Sequence, residues 1–105
     1  MSGYLQVSTT AATREDARRL AASAVKAGLC AGAQVFGPVM SVFWHQGEYG
    51  EGEEWQVTLK TAESRYAELE AHLIAEHPWD NPEVTAVELR GSAAYLAWID
   101  RATAG

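Results

Sequence analysis

The side chains of this 105-residue chain that could do chemistry are three histidines, a dense run of glutamates, one cysteine and four tryptophans. His45 is followed by Glu48, Glu51, Glu53 and Glu54, a set that could gather a divalent cation at the tip of a hairpin. No spacing in it matches a calcium loop, and the same acids also suit a solvated turn that keeps a projecting edge from aggregating. His77 stands directly before Pro78. A rigid loop of that kind could hold an imidazole for a metal or a carboxylate ligand; otherwise His77 caps the carbonyls of the helix before it. His72, five residues earlier, faces elsewhere on a helix and is expected at the surface. Glu54 and Lys60 share a strand face by parity but are too far apart to pair. Lys60 could bind an anion or an interfacial carboxylate. Cys30 has no neighbouring His or base and reads as a buried structural thiol. Trp55 and Trp98 read as packing, and Trp44 and Trp79 as interface or cleft residues whose indole N–H wants a partner.

The elements that must position these groups follow from periodicity. Tyr4 to Thr10 alternates and reads as a first strand. Thr13 then caps a helix with acids in its first turn, an apolar stripe at Ala17, Leu20, Ala21, Ala24 and Val25, and Gly28 as a left-handed end. A second strand begins near Cys30 and is interrupted at Gly37-Pro38, because proline cannot donate to a ladder. Residues 41 to 61 read as one long hairpin. Its outgoing arm is Ser41 to Tyr49, its reversal lies in a stretch with glycines at 47, 50 and 52, and its return arm alternates Trp55, Val57, Leu59 and Thr61 with polar residues. Arms this long should outreach so small a domain, and another copy of the chain is the simplest surface for the projecting aromatics. A second helix carries Tyr66, Leu69, Leu73 and Ile74 and must stop before His77, since Pro78 and Pro82 exclude helix. Val84 to Leu89 is a fourth strand. Gly91-Ser92 opens a last helix with Tyr95, Leu96, Trp98 and Ile99. The order is β-α-β-β-α-β plus a C-terminal helix. It predicts an α+β, ferredoxin-like sandwich with a long β2-β3 hairpin, in which an antiparallel sheet carries two helices on one face.

Composition narrows the function classes. The length suits one domain spanning 1-105. A net charge of −6, from 14 acidic against 8 basic residues, lacks the footprint of a nucleic-acid binder. It also argues against adhesion to an anionic membrane. One cysteine excludes an internal disulfide and any Cys-x-x-Cys site. The stretch Met1 to Gln6 does not read as a secretion signal, so the cytoplasm is the expected compartment.

Four stretches resemble the CutA divalent-cation tolerance family: Ser41-Val42-Phe43-Trp44 followed by Gly47; Glu54 with Lys60-Thr61; His77-Pro78-Trp79 with Pro82-Glu83; and Gly91 with Tyr95-Leu96, Trp98 and Ile99. The resemblance implies a ferredoxin-like subunit assembled as a homotrimer with hairpins exchanged between neighbours. It further implies a role in tolerance of divalent metals, copper above all, and no enzymatic activity. Where copper-binding members place a strand-one cysteine and a His-His pair, this chain has Ser8, Glu76 and His77. A Cu(I) site wants a soft thiolate, which Ser8 cannot supply. That leaves His77 and Glu76 as the metal candidates and Trp44, His45, Glu54, Lys60, Trp79 and Glu83 as candidates for a cleft between subunits. Copper or another divalent cation is the possible cofactor. A second class is a nitrogen-regulatory-like trimer in which Lys60, His77 and Trp44 line a cleft for an anionic metabolite. An enzyme is a third class, but Ser8 to Ala12 offers no Arg-bearing phosphate loop, and no acid-base pair is clustered.

Overall fold

The computed structural model describes residues 3–104; Met1 and Ser2, part of the N-terminal stretch considered above, lie outside them. The chain runs β1 (Tyr4–Ala11), α1 (Arg14–Lys26), β2 (Gly32–His45), β3 (Glu48–Ala62), a short 3-10 turn (Glu63–Arg65), α2 (Tyr66–Glu76), β4 (Thr85–Glu88) and α3 (Ala93–Thr103). The four strands form one antiparallel sheet in the order β2-β3-β1-β4. That is the ferredoxin-like arrangement expected from the element order.

Strand parity decides which side of the sheet is dry. Val7, Ala11, Val57 and Leu59 have no exposed surface and pack against Ala17, Leu20 and Ala24 of α1 and Leu69 and Leu73 of α2. Burying side chains of the Val and Leu size is worth about 1.5–3 kcal/mol each, so this layer supplies most of the driving force. The alternate set, Tyr4, Gln6, Ser8 and Thr10 beside Gln56, Thr58 and Lys60, points to the other side. There α3 covers one end: the Trp98 ring lies over the backbone of Gly32, and Tyr4 Oη donates to Asp100 Oδ2 at 2.6 Å.

Helix ends follow the expected chemistry. Thr13 Oγ1 accepts from the Asp16 amide, Ser92 Oγ accepts from Tyr95, and Gly28 takes φ +73° just beyond α1. Val25 and Ile74 do not face the core; they are 37% and 47% exposed. Each stands at the edge of its helix's apolar stripe, where the sheet no longer reaches. Tyr95 and Trp98 are likewise partly exposed, leaving Ile99 as the fully buried anchor of α3. Residues 30 and 31 precede β2 rather than opening it, and β4 is shorter than its apolar run at Thr85–Glu88.

The hairpin is longer and its turn tighter than its glycines suggest. The reversal occupies Gln46 and Gly47, both at positive φ (51° and 81°), which matches the two-residue turn favoured by strand twist. Gly50 and Gly52 therefore lie within β3, opposite Phe43 and Ser41. A Cβ at Gly50 would meet the Phe43 ring at 2.5 Å, so that glycine makes room for an aromatic laid across the ladder. At Gly37-Pro38 the register shifts between Phe36 and Val39. There the Trp55 ring presses on the Gly37 backbone, and a Cβ on Gly37 would approach it to 2.9 Å. The bulge lies where the hairpin leaves the body of the sheet.

Cys30 is buried, and burial pushes its thiol up to about 12 from 9.0. Between those values the folded protein keeps a proton that the unfolded chain releases, so this group makes stability fall as pH rises and contributes nothing below that window. Unfolding free energies of the native chain and Cys30→Ala should therefore follow parallel courses up to about pH 9 and then converge, with the native chain declining more steeply toward about pH 12. Parallel profiles throughout would contradict the burial of the thiol.

Candidate ligand-binding cleft

The end of β1 is where the candidate residues meet. Helix α2 stops at Glu76, and His77 turns back under the loop with a side chain almost wholly buried. Its Nδ1 accepts from the Trp79 amide at 3.1 Å. Its Nε2 lies 2.7 Å from the Thr10 carbonyl, to which it donates, because a ring whose Nδ1 accepts carries its proton on Nε2. Thr10 Oγ1 donates to Glu83 Oε1 at 3.1 Å, and Glu83 Oε2 accepts from Thr85 Oγ1 at 2.9 Å. Thr10 thus ties both ends of the 77–83 loop to the tip of β1. The Trp79 ring lies 5.0 Å from the His77 imidazole at 49°, an aromatic contact that fixes its orientation.

The hairpin rises beside this loop. Between them lies a concavity of about 1010 Å³, lined by Thr10, Phe43, Trp44, His45, Gln46, Glu54, Pro78, Trp79, Asp80, Asn81 and Glu83. Trp44, His45, Glu54, Trp79 and Glu83 are therefore brought together. Lys60 is not: it pairs with Gln6 and Gly32 toward the other end of the sheet, beside α3. Glu76 stands exposed at the end of α2, where its carbonyl accepts from Arg19 Nη1 at 3.4 Å. Ser8 is half-buried in mid-strand between Thr58 and Thr85.

The glutamates of the hairpin do not converge on His45. With the turn at residues 46 and 47 they are spread along β3, so that Glu48 faces His45, Glu51 faces Val42, and Glu53 and Glu54 face Met40 and Val39. Glu51 is engaged by the Tyr49 hydroxyl at 2.5 Å, a bond that also raises the Tyr49 pKa. Among the described residues no group of three or more His, Cys, Asp or Glu side chains is placed to hold a metal ion. His72 is not a free surface group, since its Nε2 and Ser23 Oγ are 2.7 Å apart between α1 and α2.

Thr10, Phe43, Asp80 and Asn81 are members of the concavity that sequence reasoning passed over. For Thr10 a signal existed: it is a polar residue at the end of an alternating strand, just before a helix cap. The loop residues carried none beyond their place between two prolines.

Comparison with known proteins gives a consistent match. The family model described as CutA1 divalent ion tolerance protein matches residues 5–102. The rice protein named Protein CutA 1, chloroplastic, is 33% identical over 98 residues, covering 92% of this chain and 55% of that protein. This chain therefore spans about half the length of that relative. The Archaeoglobus fulgidus divalent-cation tolerance protein CutA is 32% identical over 92 residues, 87% of this chain and 89% of its own length. A solved structure from the same organism, titled periplasmic divalent cation tolerance protein CutA, superposes with a TM-score of 0.90 at 29% identity, covering 95% of this chain and 98% of that one.

His77→Ala should leave the Thr10 carbonyl and the Trp79 amide without partners, costing about 2–4 kcal/mol at fixed subunit concentration, whereas Thr10→Val should cost only about 1 kcal/mol. Urea unfolding of the two variants checks this. Equal or negligible losses would mean that the loop is not held through the imidazole.

Proposed function

This chain belongs to the CutA1 family of divalent ion tolerance proteins, and on that premise we propose that it supports divalent-cation tolerance as a non-enzymatic homotrimer binding a small ligand in the cleft beside Trp79. The observation that carries this reading is the cleft itself. It is built at one end of the sheet from a tied loop and a projecting hairpin, and it gathers aromatic and polar side chains around a concavity of ligand size.

Assembly is supported by what one copy leaves bare. Met40, Val42, Trp44 and Tyr49 are each more than half exposed along one face of the hairpin. Both outer strands, β2 and β4, keep an edge unpaired within the subunit. The two edges are different strands, so pairing them between neighbours would be head-to-tail, and a threefold rotation closes such contacts into a ring of three subunits. The hairpin of one subunit would then form part of its neighbour's cleft.

Copper is the cation that the resemblance puts first, but the donor set does not fit it. Strand one offers the Ser8 hydroxyl in place of a thiolate, both nitrogens of His77 are engaged by the protein, and Glu76 is exposed and outside the cleft lining. The tolerance role is therefore read through a small bound ligand rather than a copper ion held by His77 and Glu76. The compartment is read as cytoplasmic. Names of relatives record chloroplastic and periplasmic proteins.

Light scattering on the purified protein should give roughly three times 11.4 kDa, and Val42→Asp on the hairpin should lower it. A host lacking this chain should lose growth as copper is raised and regain it with the wild-type chain but not with Val42→Asp. A subunit mass of one, or growth indifferent to the chain, would contradict the proposal.

A further inference from the structure

The lining of the cleft has a charge as well as a shape. Three of its residues are aromatic, Phe43, Trp44 and Trp79, and three are acidic, Glu54, Asp80 and Glu83. No lysine or arginine is among them. Lys60, the basic residue that would have favoured an anion, stands at the far end of the sheet beside Gly32. The chain as a whole carries a net charge of −6, so the field around the cleft adds to that of its walls.

An anionic metabolite entering here would meet three carboxylates and no lysine or arginine, His45 being the one lining group able to carry a positive charge. A bare divalent ion would lack an inner set of donors: among the described residues no three His, Cys, Asp or Glu side chains are placed to hold one, and both oxygens of Glu83 and both nitrogens of His77 are already bonded within the fold. An organic cation has neither difficulty. Indole faces attract a diffuse positive charge through the ring quadrupole, and nearby carboxylates add attraction without having to coordinate. The cleft is also open on its acidic rim, where Asp80 and Asn81 are exposed.

We infer that the cleft recognises an organic ammonium group, seated against Trp79 and neutralised by Glu54, Asp80 and Glu83. This rests on the reading that the cleft is a ligand site, and it adds the sign and kind of ligand. Tolerance would then respond to a cationic metabolite rather than to copper held directly.

The test is calorimetric titration of the assembled wild-type protein with three probes that keep one ring and vary the charge: benzyltrimethylammonium, benzyl alcohol and benzoate. Benzyltrimethylammonium should bind saturably, one per subunit, and at least about tenfold more tightly than benzyl alcohol, with no binding of benzoate. The paired substitution Glu54→Gln with Asp80→Asn changes charge at positions outside the loop's hydrogen-bond network and should weaken the cation about tenfold without moving the melting temperature. Trp79→Leu should weaken it as well, while Lys60→Ala should leave it unchanged. Equal binding of the cation and the alcohol, or preference for benzoate, would overturn the cation assignment but keep the cleft as a ligand site. Absence of saturable binding by all three probes and by copper would overturn both.

Discussion

The imidazole of His77 is the constraint on which the candidate site depends. It is nearly buried, and it satisfies two backbone groups that would otherwise be stranded: the Thr10 carbonyl at the end of β1 and the Trp79 amide in the loop. An unpaired buried polar group costs on the order of 1–3 kcal/mol, so the pair of bonds outweighs the ordering of a short loop already stiffened by Pro78 and Pro82. Thr10 extends the tie through its hydroxyl to Glu83, and Glu83 passes it to Thr85 at the start of β4. Helix α2, the loop and the first residue of β4 are in this way fastened to one strand end. The wall carrying Trp79 is positioned by backbone contacts, which is why the histidine serves geometry more than chemistry.

The opposing wall is made by a different device. Through Trp55 the hairpin belongs to the sheet, and beyond the Gly37-Pro38 irregularity it is supported by its partner arm alone. Trp55 fills the space above Gly37, and the Phe43 ring fills that above Gly50, so the ribbon keeps its register without a third strand. A two-stranded ribbon is marginal in isolation. Its exposed Met40, Val42 and Trp44 are the part of the chain whose burial requires something outside the subunit. One construction therefore serves two ends, presenting an apolar arm for association and shaping one side of a cleft.

Much of this was legible from the sequence, and the reasons differ by element. The element order, the cap at Thr13, the opening of α3 at Gly91-Ser92 and the end of α2 rest on local rules strong enough to survive tertiary context. The hairpin reversal did not, because three glycines compete and only strand register shows that Gly47 turns the chain while Gly50 accommodates Phe43. Val25 and Ile74 fit their helical stripes by periodicity, yet both stay exposed on the folded subunit. Within the candidate site, motif residues Trp44, Glu54, Trp79 and Glu83 fall together, whereas Lys60 does not. Strand spacing shows that Lys60 and Glu54 share a face and stand too far apart to pair, but not which of the two reaches the cleft. Thr10 signals itself as a polar strand end, but its role as a hub does not show, because its partners are 67 and 73 residues away in the chain.

The most direct measurement of the central claim is nitrogen-15 NMR of the His77 ring together with hydrogen exchange at the Trp79 amide. The ring should be protonated at Nε2 and accept at Nδ1, with the Nε2 proton and the Trp79 amide both slow to exchange. A ring protonated at Nδ1, or both protons exchanging at solvent rates, would show that the loop is not fastened through His77, and the cleft would lose its fixed wall.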